Sequence, residues 1–175
     1  MKAVSINERH FMTKPSSTTK RNVSAKSKIY KTTRRATRQR PVLSLLLGIP
    51  ANDNQELIQE IHQGLQVSAF HRLAQQMQLT SDELAKATTI KTRTLARRKK
   101  HGLMNPEESD RLVRLAGLFQ NAVDLFEGNS ESAAQWFRTP KTALGGVTPL
   151  QYADTAIGTT EVADLIGRLE HGIFS

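Results

Sequence analysis

From Asn54 to the end of the chain, apolar residues return every three or four positions, the repeat of helices that each bury one face. Leu57, Ile58, Ile61 and Leu65 form the first stripe, and Gly64 closes that element. Ser68 then reads as the cap of a second helix carrying Phe70, Leu73, Ala74 and Met77. Thr80-Ser81-Asp82-Glu83 opens a short third helix with a hydroxyl cap and acids near the positive end of the helix dipole. Thr88-Thr89-Ile90 breaks the pattern, and Lys91–Lys100 forms another short helix. The clearest start signal is Asn105-Pro106-Glu107-Glu108. Here Asn105 caps, Pro106 suits the first helical position, and Glu108 reaches back in a capping box. Leu112, Leu115, Phe119, Val123 and Phe126 continue as one stripe, and Gly128-Asn129 ends the helix with a left-handed residue.

Shorter helices follow. One spans about Glu131–Phe137 and holds Trp136; a turn at Gly145-Gly146 leads to a second capped start at Thr148-Pro149-Leu150. The last helix opens near Thr159-Thr160-Glu161 and turns Val162, Leu165, Ile166 and Leu169 inward. Gly167 interrupts it at a cost of about 1 kcal/mol relative to Ala, the kind of position that admits another backbone closely. No stretch alternates with the period of a strand, and nothing repeats internally. The expected fold is all-α: a small helical bundle.

Charge divides the chain differently. Residues 1–40 hold 12 Lys and Arg against one acid, Glu8, while the remaining 135 residues hold 13 basic and 15 acidic groups. The net charge of +9 therefore belongs to a tail too poor in apolar groups to offset its ordering entropy. Such an arm is drawn to polyanions, nucleic acid first, or serves only as a solvated extension. The run Val42-Leu43-Ser44-Leu45-Leu46-Leu47 is too short and too far in for a signal peptide, though a transit peptide stays open. No stretch approaches a membrane span, so a soluble, cytoplasmic protein is expected. Three segments result: a basic flexible tail over 1–45, a helix-turn-helix domain over 54–128, and a C-terminal helical domain over 129–175.

The segment Leu84–Lys100 has the form of a helix-turn-helix. Leu84-Ala85 lies in the first helix, Leu95 anchors the second, and six cations crowd ten positions of that second helix. A helix of this kind enters the major groove, its first residues meeting base edges and its flanking cations meeting phosphates. Candidate DNA contacts are Lys91, Thr92, Arg93, Thr94, Arg97, Arg98, Lys99 and Lys100. Arg93 and Arg97 are expected to face the bases, with Arg98, Lys99 and Lys100 on phosphates. Thr89 stands where the turn usually has Gly, and Lys91 where Ser or Thr usually caps; both weaken the motif. A plain solvated basic face is the competing reading.

Catalysis has no visible seat. Cysteine is absent, which excludes disulfides, thiol chemistry and Cys-bound metals. The five histidines, His10, His62, His71, His101 and His171, show no metal-ligand spacing. There is no nucleophile elbow, P-loop or dinucleotide fingerprint. Neither a cofactor, nor a metal, nor an enzymatic activity is expected.

At the C-terminus, Arg168, Glu170 and His171 precede Ile173, Phe174 and Ser175. Exposed apolar groups there mark a partner contact, unless they fold back on their own core. Leu144-Gly145-Gly146-Val147-Thr148-Pro149-Leu150, Asp154-Thr155, Gly158, Val162 and Leu165–Ser175 together resemble the toxin-binding domain of Xre/MbcA/ParS-type antitoxins. Arg93–Lys99 followed by Glu107–Leu112 resembles the preceding Xre region, so the likeness spans about Leu57–Ser175. The resemblance implies a RES-domain toxin as partner, one that consumes NAD⁺ and whose active site the antitoxin's C-terminal region blocks. It also implies operator DNA, usually bound in complex with the toxin; a homo-oligomer within that complex is expected, since avidity from paired half-sites would offset a weak single module. The toxin contacts it suggests are Arg168, Glu170, His171, Ile173, Phe174 and Ser175. A free-standing helix-turn-helix regulator with a C-terminal dimerisation domain is the alternative.

Overall fold

The computed structural model describes residues 41–172. The helices are α1 (Val42–Leu47), α2 (Asn54–Gln63), α3 (Val67–Gln76), α4 (Ser81–Ala87), α5 (Thr92–His101), α6 (Pro106–Leu125), α7 (Ser130–Arg138), α8 (Pro149–Tyr152) and α9 (Ala156–Glu170). A 3-10 turn at Thr142–Leu144 joins α7 to α8. No strand occurs among the described residues, where a lone antiparallel bridge pairs Gln66 with Leu103. The fold is all-α.

Short polar side chains open most of these helices. The Asp53 carboxylate accepts from the Glu56 N–H, and Thr80, Asn105 and Thr148 each form a capping box with the residue three positions on. The second helix departs from expectation. It starts at Val67, and Ser68 lies inside it rather than capping it. The Val67 N–H instead donates to the Gly102 carbonyl at 3.0 Å, so a neighbouring loop supplies what a cap would. That loop is bound once more, the Met104 N–H donating to the Leu65 carbonyl at 2.9 Å, and the Leu65 N–H donates to Ser109 Oγ of α6 at 2.8 Å. Gly64, at φ +95°, is needed here because a Cβ would run into the Met104 carbonyl.

The apolar run at 42–47 is not part of the tail. It forms α1, which packs on α3 and α6, and Leu47, Ile49 and Ala51 are buried. Burial of that run carries the folded body back past the border expected at residue 45.

The centre is α6, 20 residues long, which packs against α1, α2, α7 and α9. Its Phe119 lies 6.1 Å from Phe137 of α7, whose ring meets Trp136 edge-on at 5.3 Å. Val162, Leu165 and Ile166 of α9 complete the same cluster, which is continuous from Leu47 to Ile166. The border expected at 128/129 is thus no gap in packing.

Two ends of helices differ from the sequence reading. In α6 positive φ begins at Glu127, at φ 54°, one residue ahead of Gly128, which is itself at φ 89°. That placement lets the Gly128 N–H reach the Val123 carbonyl and leaves Asn129 to cap α7, accepting from the Ser132 N–H at 2.9 Å. The last helix begins at Ala156, a turn earlier than expected, with Thr155 Oγ1 accepting from the Gly158 N–H at 3.0 Å. Close backbone approach occurs at Gly158, against the Tyr152 carbonyl; a Cβ on Gly167 would meet nothing within 4 Å.

Candidate DNA-binding helix and partner-binding end

The turn between α4 and α5 adopts the geometry that its sequence disfavours. Thr89 takes φ 53°, the left-handed conformation usually left to Gly. Its N–H donates to the Lys86 carbonyl at 3.1 Å, and the Ile90 N–H reaches back to the Ala85 carbonyl at 2.7 Å. This pair of bonds is a Schellman motif, with buried Ile90 as its apolar contact. The substitution of Thr for Gly therefore leaves the turn intact and adds strain to it. Thr88, 1% exposed, is held by its own Oγ1 donating to the Leu84 carbonyl at 2.7 Å.

After the turn, Lys91 precedes α5 without a side-chain cap, and Leu95 is the buried residue of the helix. Lys91, Thr92, Arg93, Arg97, Lys99 and Lys100 are exposed, and Thr94 is half-buried. Arg93 and Arg97, one turn apart, share a face that leads away from Leu95. No acidic residue interrupts α5, and Arg98, Lys99, Lys100 and His101 fill its last turn, where cations suit the helix dipole.

Arg98, expected on a phosphate, has a partner within the fold. Its Nε donates to Glu108 Oε2 at 2.8 Å and its Nη2 to Glu108 Oε1 at 3.2 Å, a two-pronged ion pair at the start of α6. Glu108 is 4% exposed and also accepts from the Asn105 N–H at 2.9 Å. A buried carboxylate needs a cation, and Arg98 is the cation turned toward it. One turn further along α6, Arg111 Nε donates to the Thr88 carbonyl at 2.8 Å. Neither Glu108 nor Arg111 was singled out as functional by sequence reasoning, since their partners lie 10 and 23 residues away.

At the other end, Arg168, Glu170 and His171 are exposed around the end of α9. Ile173, Phe174 and Ser175, and the basic residues 1–40, lie outside the described residues. The sequence reading missed a groove of roughly 940 Å³ between α4 and the α8–α9 region, with Lys86, Arg138, Val147, Leu150 and Ile157 among its walls. Ile157 is 75% exposed. Arg138 crosses from α7 to the α3–α4 loop, donating to the Gln78 carbonyl at 3.2 Å and to Gln78 Oε1 at 3.1 Å. Nearby, the Tyr152 hydroxyl donates to Glu161 at 2.6 Å, and that bond with the adjacent carboxylate charge raises its pKa. Lys141 Nζ sits 5.2 Å from the Trp136 ring centroid, and partial burial lowers its pKa. Among the described residues, no cluster of His, Asp or Glu has the makings of a metal site, and no helix is long and apolar enough to cross a membrane.

Residues 56–117 match the antitoxin Xre-like helix-turn-helix domain, and residues 121–172 match the antitoxin Xre/MbcA/ParS C-terminal toxin-binding domain. Over 130 residues the chain is 39% identical to Antitoxin Xre of Yersinia enterocolitica, a stretch covering 74% of this chain and 88% of that one. The chain belongs to the Xre family of antitoxins. Antitoxin Xre of Photorhabdus laumondii is 34% identical over 130 residues, with the same shares covered. The Prs ADP-ribosylating antitoxin of Sphingobium is 26% identical over 124 residues, covering 66% of this chain and 78% of that one. In this Xre-family antitoxin, then, the helix-turn-helix domain runs from α2 into α6 and contains α4 and α5, while α7–α9 lie within the toxin-binding domain. Both share one core built on α6.

Proposed function

We propose that this antitoxin neutralises a RES-domain toxin that consumes NAD⁺, and that it represses its own operon from the toxin-bound state. The end of α9 and the residues after it enter the toxin's active site, while α5 lies in the major groove of operator DNA. The observation that carries the reading is the pairing, on one core, of an exposed basic helix free of acids with a region matched to toxin binding. The name of the Sphingobium relative supports the NAD⁺ part, because ADP-ribosylation takes its transferred group from that dinucleotide.

A site that accepts an anionic dinucleotide is basic, so Glu170 takes phosphate space and Arg168 pairs with a toxin carboxylate. Ile157, exposed within the toxin-binding region, adds an apolar contact. Lys91, which leaves the start of α5 without a side-chain cap, makes a single DNA module weak, and assembly of several antitoxin copies on toxin compensates by avidity. The tail over 1–40 adds sequence-independent attraction to phosphate. The action is by binding, within the cytoplasm, without cofactor.

The test is co-expression with the product of the adjacent gene, followed by NAD⁺ measurement. The full chain should preserve NAD⁺, and deletion of Gly167–Ser175 should abolish protection while most of the helical signal persists. Full protection by the truncated chain would remove the C-terminal mechanism. No NAD⁺ loss in the absence of antitoxin would remove the RES assignment.

A further inference from the structure

The orientation of α5 needs an explanation. Leu95 is its one buried residue, and neither a side-chain cap at Lys91 nor a relaxed turn at Thr89 fixes its start. One apolar anchor in ten residues leaves rotation about the helix axis weakly determined, because burial is not directional. Two polar ties from α6 supply the missing direction. The Arg98–Glu108 fork has two roughly parallel bonds, which set the plane of the pair as well as its distance. The bond from Arg111 fixes the carbonyl of Thr88, immediately before the strained residue of the turn. Glu108 and Arg111 lie three positions apart, so both act from one face of α6.

We propose that Glu108 and Arg111 are positioning residues for DNA readout, setting the angle at which α5 presents Arg93 and Arg97 to base edges. Arg98 transmits the effect of Glu108 and does not itself serve a phosphate. The proposal rests on the reading of α5 as the helix in the groove. A buried ion pair contributes little to stability beyond what an apolar pair of similar size offers, but it specifies one geometry where apolar contact permits several. Readout by bidentate Arg contacts is sensitive to such geometry, whereas attraction to the phosphate chain is not.

Electrostatics alone predicts the opposite sign. Glu108 is an acid behind a basic helix, so its neutralisation should tighten binding to any duplex. The experiment compares a duplex from the promoter upstream of its own gene with a scrambled duplex of equal length, using the full chain together with the adjacent gene product. Glu108→Gln keeps the cap acceptor and removes the charge. The double variant Arg98→Met with Glu108→Gln leaves net charge unchanged, retains the cap and removes the fork without stranding a buried charge.

The expected result for both is a fall of about tenfold in the operator-to-scrambled affinity ratio, of the size of one mismatched base pair. Scrambled binding should be unchanged for the double variant and no weaker for Glu108→Gln, with the salt slope of the double variant unaltered. Arg111→Lys, which keeps the charge and loses the Nε donor, should lower the ratio by about fivefold. Circular dichroism and thermal midpoint identify variants that remain folded, and the double variant is the one that decides if Glu108→Gln is unstable. A double-variant ratio within about twofold of the unmodified chain overturns the proposal. A unit loss of salt slope on removing Arg98 overturns it too, by making Arg98 a phosphate contact. Arg93→Ala separates the two failures. If the unmodified complex shows no operator preference, or Arg93→Ala leaves it intact, the DNA reading of α5 falls and this proposal with it. If Arg93→Ala lowers the preference and the fork variants do not, only the positioning role falls.

Discussion

Thr89 shows how a single side chain can be wrong for its conformation and still be accommodated. A β-branched residue at φ 53° costs about 1–2 kcal/mol relative to a right-handed conformation, since its Cβ crowds the neighbouring carbonyl. Gly would remove that strain while adding entropy to the unfolded chain. Thr89→Gly is therefore expected to stabilise the protein by about 0.5–1 kcal/mol in urea unfolding, and a loss of stability would contradict the strain. Glu83 carries a second prediction. The Thr80 N–H at 2.7 Å and, next in importance, the Thr80 hydroxyl at 2.8 Å both bond its carboxylate and hold its pKa below the ordinary glutamate range. A depressed acid adds stability at pH above its unfolded value and loses it as pH falls through the lowered one. Glu83→Gln should flatten that part of the acid limb while keeping the capping bond; because Glu83 is exposed, the effect is small. An acid limb identical in both proteins would show that Glu83 is not linked to folding. Arg98 illustrates what residue-level reading misses: in the sequence it is one cation among six, and only the fold brings Glu108 beneath it.

Helices were legible where their ends carry local signals. The starts at Thr80, Asn105 and Thr148 depend on side chains that bond within three residues, so short-range chemistry suffices to find them. The start of α3 depends on the Gly102 carbonyl, far along the chain, and is hidden from any local pattern. The first turn of α9 is hidden differently, because its Ile157 faces outward and Gly158 resembles an interruption. The two glycines of α9 make a direct comparison. Helix propensity alone favours Ala at both by about 1 kcal/mol. At Gly167 nothing opposes the new methyl group, and Gly167→Ala should stabilise the free chain by about 0.5–1 kcal/mol. At Gly158 the methyl group meets the Tyr152 carbonyl, so Gly158→Ala should destabilise by about 2 kcal/mol or more, the size of an overpacked core site. Thermal unfolding of the two variants checks both signs. Equal shifts in one direction would refute the packing difference.

At the scale of the whole molecule, α6 belongs to both binding regions. Glu108 and Arg111 meet the helix-turn-helix, while Phe119 meets Phe137 and the helix packs along α9. The periodicity of α6 was visible in its sequence, but an amphipathic stripe does not state how many neighbours it serves. A fragment ending at Gly128 would leave much of α6 without a partner. It should lose the sharp unfolding transition of the full chain, which itself should unfold in one step by both circular dichroism and Trp136 fluorescence. A fragment as cooperative as the full chain would show two independent cores. The single core also ties the fates of the two regions together under proteolysis. Opening α9 bares α6, and with it the support of α5, so a protease that captures the opened form removes both binding capacities in the same event.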